Sequence, residues 1–255
     1  MAVQDYLPRQ FNLTPTVVKN LLIINILFFV ASIAFAKISH QDLNSTFGLY
    51  YPGSEHFRPF QILTSMFSHG GWAHLAFNMF ALWMFGSQLE RIWGSKRFLI
   101  YFLLTGLGAS LLHTGVNWYE LQQAWSNIEM EHHSRYMELI RSEGRELILT
   151  GRNYVDRDLG KLNGIYNGYV VGASGAIYGL LIGFGMLFPN VELMLLFFPV
   201  PVKAKYFIPL LMIGELYLGM NNFSWDNIAH FAHLGGALFG FLIIKYWARG
   251  SNRFF

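Results

Sequence analysis

The chain is organised around one short stretch, Val171-Gly172-Ala173-Ser174-Gly175-Ala176-Ile177-Tyr178-Gly179, which opens an apolar run that continues to Phe188. The run is about the ~20 residues needed to cross a bilayer. The polar turn formers before it place Ser174 in the first turn of a membrane helix. That turn offers backbone N–H groups without intrahelical partners and the positive end of the helix dipole. A hydroxyl there is placed like a nucleophile, with donors nearby for the oxyanion it would create.

The same stretch also has a purely structural interpretation. Gly175, Gly179 and Gly183 lie four apart and form a ridge of small residues. Such ridges let membrane helices approach each other closely. Under that interpretation Ser174 is only a small packing residue, so the choice depends on what other polar residues lie at its depth.

The composition indicates a polytopic all-α membrane protein. Of the 255 residues, 53% are hydrophobic and only 13% are charged, whereas typical soluble domains are ~25% charged. The absence of cysteine excludes disulfides, thiolate metal sites and a cysteine nucleophile. No nucleic-acid-binding motif occurs, and the long apolar runs predict a lipid bilayer as the surroundings of the chain.

Apolar runs predict six transmembrane helices within a single membrane domain, residues 1–255. The spans are placed at about 17–36, 72–89, 98–116, 172–188, 206–220 and 227–247. Between the third and fourth spans, residues 117–168 hold six Lys or Arg and eight Asp or Glu and cannot span. Apolar residues three and four apart predict one or two helices in this outward insert. Residues 191–202 contain Pro199 and Pro201 and are predicted as a re-entrant or interfacial turn.

The basic residues predict the orientation of the spans. The side that bears both termini holds ten Lys or Arg, while the short loops of the other side hold only Lys37 and Arg58. The positive-inside rule therefore puts both termini in the cytosol of a multi-pass protein of the cell (inner) membrane, with the insert outside. Ala34-Phe35-Ala36 also resembles a signal-peptidase site, but the run before it is rather long for a signal core.

Polar residues inside apolar runs are costly and are functional candidates. His74 and Asn78 are four apart on the second span and share a helix face. The sixth span carries His230 and His233, and the fifth carries Glu215, to which the sequence assigns no role. In the predicted topology five of these residues lie at similar depths in the outer half: His74, Asn78, Ser174, His230 and His233. This convergence favours a site over scattered packing residues.

The glycines of the sixth span favour His233 as the partner of Ser174. Gly236 and Gly240 follow His233 by three and seven residues and share its face. They offer a groove for the glycine ridge, and packing the two would bring His233 to Ser174. A serine needs an adjacent base to become a nucleophile, and histidine is the usual one. We expect His230, nearer the outer loop, to hydrogen-bond there or to order water at the mouth.

Three motifs on the even-numbered spans together resemble the rhomboid family of intramembrane serine proteases. They are His-x-x-x-Asn, Gly-x-Ser-Gly and Ala-His-x-x-Gly-x-x-x-Gly, which here read His74–Asn78, Gly172–Gly175 and Ala232–Gly240. The resemblance covers about residues 60–116 and 170–245. The long insert departs from it.

The resemblance implies a role for each site residue. Ser174 is the nucleophile and His233 the base, a dyad without an acidic residue. His74, Asn78 and the Ser174 backbone N–H hold the oxyanion, and Tyr178 packs against the His233 ring. The substrate is a transmembrane segment unwound near the outer face, where water enters, and no cofactor or metal is implied. Gly172, Tyr178 and His230 line the site.

Two other classes of function remain open. One is a catalytically inactive relative that binds client helices, which the complete Ser–His pair disfavours. The other is an intramembrane metal hydrolase that uses His74, His230 and His233, which the lack of a His-Glu-x-x-His motif disfavours. The Ser174→Ala substitution tests the first class, and sensitivity to chelators tests the second. The sequence leaves the oligomeric state open.

Overall fold

The computed structural model describes residues 14–40, 42–195, 198–221 and 228–249, and they are mostly helical. The single-turn π-helices Leu82–Gly86 and Ile140–Gly144 join α4 to α5 and α7 to α8. The helices are α1 Thr16–Ser39, α2 Asn44–Phe47, α3 Gln61–Thr64, α4 Trp72–Ala81, α5 Ser87–Trp93, α6 Ser95–Asn127, α7 Met130–Leu139, α8 Arg145–Leu149, α9 Arg157–Asn167, α10 Ser174–Leu187, α11 Ala204–Asn221 and α12 His230–Arg249.

Within the described residues, three helices are long and apolar enough to cross a membrane: α1, α6 and α12. α10 is also apolar but has only 14 residues. The second predicted span lies in one unbroken helical run, in which a π-helical turn connects α4 to α5. The fifth forms α11, a continuous helix with Pro209 inside it; Lys205, Pro209 and Glu215 lower its hydropathy. The structure thus supports an apolar helical membrane protein, and the count of six spans stays a prediction.

The centre of the bundle is the packing of α10 against α6 and α12. A Cβ added to Gly236 of α12 would lie 1.8 Å from the Gly175 carbonyl oxygen of α10. One helical turn on, a Cβ on Gly240 would lie 3.0 Å from the Gly179 Cα. The predicted contact between the two glycine-rich faces is therefore present, and it sets the N-terminal ends of α10 and α12 side by side.

A buried carboxylate ties the first helix to the charged turn between α5 and α6. Glu90 accepts hydrogen bonds from the backbone N–H groups of Val17 and Val18, at 2.9 and 2.8 Å. These N–H groups lie in the first turn of α1, where the helix has no acceptors of its own and favours negative charge. Ser95, the first residue of α6, also donates to Glu90 at 2.6 Å. The Glu90 carboxylate therefore links α5 to both α1 and α6.

The insert is partly a continuation of the third predicted span. α6 is 33 residues long, or about 50 Å, which exceeds the ~30 Å hydrocarbon core. Its C-terminal part packs with the later insert helices around a second apolar cluster, formed by Leu121, Ala124, Ile140, Leu159, Leu162 and Ile165. Directly after the insert, β2 (Tyr169–Val170) pairs antiparallel with β1 (Leu49–Tyr50). The insert is therefore helical, and its first helical part continues the third predicted span.

Two antiparallel strands lie where a re-entrant or interfacial turn was predicted, and their place relative to the membrane stays a prediction. β3 (Glu192–Leu195) pairs antiparallel with β4 (Phe198–Lys203), and Met194 lies opposite Pro201. Proline lacks an N–H donor and is tolerated on edge strands, and both strands of a two-stranded hairpin are edges. The β1–β2 and β3–β4 pairs are short additions to a mostly helical structure, which agrees with the predicted all-α membrane protein.

Candidate active site

Ser174 is the first residue of α10, and it follows directly after a turn of the backbone at Gly172. The preceding Gly172 has φ +127°, a backbone conformation that L side chains rarely adopt, and its N–H donates to the Ser65 carbonyl at 2.9 Å. This turn directs the chain into the helix so that Ser174 begins it. The first backbone N–H groups of a helix have no intrahelical acceptor, so the Ser174 hydroxyl lies beside free donors.

Ser174 and His233 are in hydrogen-bond contact. The His233 Nε2 lies 2.8 Å from the Ser174 Oγ, across the seam between α10 and α12. The Tyr178 ring, one turn after Ser174, stacks on the imidazole with centroids 4.2 Å apart and planes 7° from parallel. The contacts expected from the glycine spacing and from the resemblance are both present.

Glu215 joins this group from α11. Its Oε2 lies 2.9 Å from the His233 Nδ1 and 2.6 Å from the His230 Nδ1, and the Tyr178 hydroxyl donates to its Oε1. The resemblance implied a dyad without an acidic residue, whereas the structure places a carboxylate on the far nitrogen of His233. An ionisable residue in an apolar run was the signal in the sequence, but nothing there fixed which face of α11 meets α12.

His74 and Asn78, in α4, face the same cavity as Ser174 and His233. The cavity has a volume of about 580 Å³ and is also lined by Gly172 and Tyr178. A Cβ on Gly172 would lie 2.7 Å from the His74 Nε2 and 3.6 Å from the Asn78 Nδ2, so glycine is required here for space as well as for φ. The Asn78 Nδ2 is buried and has no acceptor within the described part of the chain.

Among the described residues that line this cavity, His230 does not occur, and its expected role at the outer loop stays a prediction. The residue is 6% exposed and bonds to Glu215. It lines a separate cavity of about 110 Å³, together with His113 and Asn117. His113 of α6, which the sequence analysis did not single out, lines both cavities.

The predicted metal-binding set is not the one that the fold assembles. Glu215, His230 and His233 offer ligand atoms within 4.8 Å of one another, and His74 is not a member of that group. Both histidines already contact the Glu215 carboxylate through Nδ1. A metal held there would therefore replace the hydrogen bonds of this network.

An apolar helical bundle with a partly buried Ser–His pair near the start of two glycine-packed helices defines the class of this protein. The family model described as the Rhomboid domain matches residues 56–131 and 139–250. The chain belongs to the rhomboid family. The break in the match, residues 132–138, lies within α7 of the insert.

Several relatives support this assignment. The chain is 28% identical over 192 residues to "Rhomboid protein 1, mitochondrial" of Saccharomyces cerevisiae, covering 75% of this chain and 43% of that protein. It is 26% identical over 186 residues to "Rhomboid protease AarA" of Providencia stuartii, covering 70% and 52%. A shorter match to "Rhomboid protease GluP" of Bacillus subtilis is 47% identical over 51 residues, covering 20% and 10%. The chain thus spans about half the length of these relatives or less.

Proposed function

We propose that this protein is an intramembrane serine endopeptidase that cleaves transmembrane segments of other membrane proteins. Ser174 is the nucleophile and His233 the general base. The observation that carries the proposal is the 2.8 Å contact between the His233 Nε2 and the Ser174 Oγ, in a cavity lined by apolar and polar groups together. Two relatives carry the word protease in their names.

The proposed reaction is acyl transfer in two steps. His233 Nε2 takes the Ser174 hydroxyl proton while Oγ attacks the carbonyl carbon of the scissile peptide bond. The C–N bond then breaks, and the imidazolium gives its proton to the leaving amine. Water, activated by the same imidazole, hydrolyses the acyl-enzyme and restores the Ser174 hydroxyl.

The oxyanion of the tetrahedral intermediate is assigned to donors on two helices. His74 and Asn78 supply side-chain N–H groups from α4, and Ser174 supplies its backbone N–H from the first turn of α10. The buried Asn78 Nδ2, without an acceptor in the described part of the chain, supports this role. A buried donor left without an acceptor is costly, and a developing oxyanion would satisfy it.

The length of α10 supports a reaction below the membrane surface. Fourteen residues rise about 21 Å, less than the ~30 Å hydrocarbon core. If the C-terminal end of α10 reaches one face, Ser174 lies about 10 Å below the other. A substrate helix hides its carbonyl groups in intrahelical hydrogen bonds, so the segment that enters must unwind, which residues with weak helix propensity favour.

The proposed orientation follows the distribution of basic residues. Residues 1–255 form one membrane domain with six spans, both termini face the cytosol, and the cavity opens to the outer face of the cell membrane. α4, α10 and α12 each begin at the site, and in this topology each runs from the outer side inward, which supports a common depth for their first turns. Water reaches the cavity from that side.

The test is cleavage of a model transmembrane substrate in liposomes, together with labelling by a fluorophosphonate probe. Ser174→Ala and His233→Ala should abolish both, and His230→Ala should lower turnover but leave labelling detectable. Gly115→Ala is a matched control, because a Cβ there meets nothing within 4 Å. Cleavage that survives Ser174→Ala would refute the assignment. A folded wild-type protein that neither cleaves nor labels would favour the inactive, client-binding relative.

A further inference from the structure

Glu215 is a carboxylate buried in an otherwise apolar helix, and the reaction described above gives it no task. It is 7% exposed. Removing an ionised carboxylate from water costs several kcal/mol unless it is paired and hydrogen-bonded. The three donors that meet its two oxygens, on Tyr178, His230 and His233, meet that requirement.

We propose that Glu215 is a positioning residue that holds His233 in the tautomer a general base needs; this inference rests on the proposed function. A neutral imidazole carries one proton, on either nitrogen. Because the Glu215 Oε2 lies 2.9 Å from Nδ1, the proton is held there as a donor to the carboxylate. Nε2 then has a free lone pair, 2.8 Å from the Ser174 hydroxyl whose proton it must accept.

The carboxylate also acts during the reaction, without taking up a proton. When Nε2 accepts the Ser174 proton, His233 becomes an imidazolium with both nitrogens protonated. The adjacent negative charge stabilises that cation until Nε2 passes its proton to the leaving amine. Glu215 stays ionised throughout, so every proton is accounted for by Ser174, His233 and the amine.

The remaining contacts hold the carboxylate and the imidazole in fixed positions relative to each other. The Tyr178 hydroxyl donates to Oε1, so the two oxygens have different partners. The Tyr178 ring fixes the plane of the imidazole by stacking, while Glu215 fixes its rotation within that plane. His230 donates to the same Oε2 as His233, which adds a second donor to the ionised form.

The backbone explains how α11 reaches the histidines. Gly219 follows Glu215 by four residues, on the same helix face, and a Cβ there would lie 3.0 Å from the His230 Cβ. A larger residue at this position would hold α11 away from α12. The close approach therefore lets a side chain of the length of glutamate reach both imidazoles.

The decisive experiment compares Glu215→Gln with Glu215→Asp in the full-length protein in liposomes. Gln keeps the size and removes the charge, whereas Asp keeps the charge and shortens the side chain. In serine proteases, loss of the acidic residue costs about 10⁴-fold in kcat, so Gln should lower kcat by about 10³- to 10⁴-fold with KM little changed. Asp should retain more activity than Gln. If Glu215→Gln were as active as Glu215→Asp or more active, the proposal would be overturned, because the size of the side chain rather than its charge would then determine the activity.

A second measurement does not depend on the folding of a variant. ¹⁵N spectra of the wild-type protein with labelled histidine should show neutral His233 protonated on Nδ1, with assignment by loss of the signal in His233→Ala. An Nε2-protonated ring would overturn the role of Glu215. If Ser174-dependent cleavage is present but either the Gln–Asp comparison or the ¹⁵N spectra contradict the expected result, only this inference fails. If wild-type cleavage itself is absent, the proposed function fails.

Discussion

Substituting Gly236 by alanine tests whether the glycine seam sets the distance between nucleophile and base. The added Cβ would lie 1.8 Å from the Gly175 carbonyl oxygen, and real Cβ atoms essentially never approach closer than 3.0 Å. Because the obstacle is backbone rather than a flexible side chain, α12 must move away from α10 by at least about 1.2 Å. The 2.8 Å contact between Ser174 and His233 would then lengthen to about 4 Å, beyond hydrogen-bond range.

A misplacement of about 1 Å at a catalytic pair costs on the order of 10²-fold in rate. We therefore expect Gly236→Ala to lower both kcat on a model substrate and the rate of fluorophosphonate labelling by at least that factor. Overpacking should also destabilise the fold by about 1–3 kcal/mol, which thermal unfolding in detergent would measure. Gly115→Ala, at an open position of α6, should retain the wild-type values. A folded Gly236→Ala variant that labels at the wild-type rate would refute the seam argument.

Four further predictions concern the oxyanion, the orientation, the insert and metal binding. Asn78→Ala should lower kcat by about 10²- to 10³-fold with the fold intact, and unchanged turnover would remove Asn78 from the oxyanion site. A reporter fused after Gly250 should be active only in the cytosol, and activity on the outer side would reverse the proposed topology. His56 contacts Arg145 of α8 through a hydrogen bond of 2.5 Å. Burial, and next the Arg145 guanidinium, lower the pKa of His56 from its ordinary 6.5, so its contribution to insert docking is complete above that value and is lost as pH falls below it. After correction for the intrinsic exchange rate at each pH, the hydrogen-exchange protection of α8 should fall from about pH 7.5 to about pH 5, and less so in His56→Gln. Chelators should leave Ser174-dependent cleavage unchanged, and their inhibition would favour a metal at Glu215, His230 and His233.

Much of the site was predictable because helical spacing and small residues determine it locally. The spacing of His233, Gly236 and Gly240 places them on one face of α12. The spacing of the glycines after Ser174 defines the face of α10 that packs against it. The Ser–His contact followed from joining those two faces. The pairing of His74 with Asn78 followed in the same way, since residues four apart share a side of a helix.

Glu215 was not predictable as a partner of His233, because its position depends on the packing of α11 against α12. The sequence marks the residue as an expensive charge in an apolar run. It does not give the rotation of α11 about its axis, which depends on close contacts such as the one at Gly219. The pairing of β3 with β4 was not predicted for a related reason: two prolines predict the end of a helix, but they do not distinguish a turn from an edge strand.

Two sets of contacts constrain His233: one sets its distance from Ser174, and the other sets the orientation of its ring. The Gly236–Gly175 contact sets how far the imidazole stands from Ser174, because backbone meets backbone there and neither side can yield. The contacts of Glu215 and Tyr178 set how the ring is turned and which nitrogen carries the proton. Distance is thus determined by residues that lack side chains, and orientation by a buried charge and an aromatic ring. A search for catalytic side chains alone would find the second set and overlook the first.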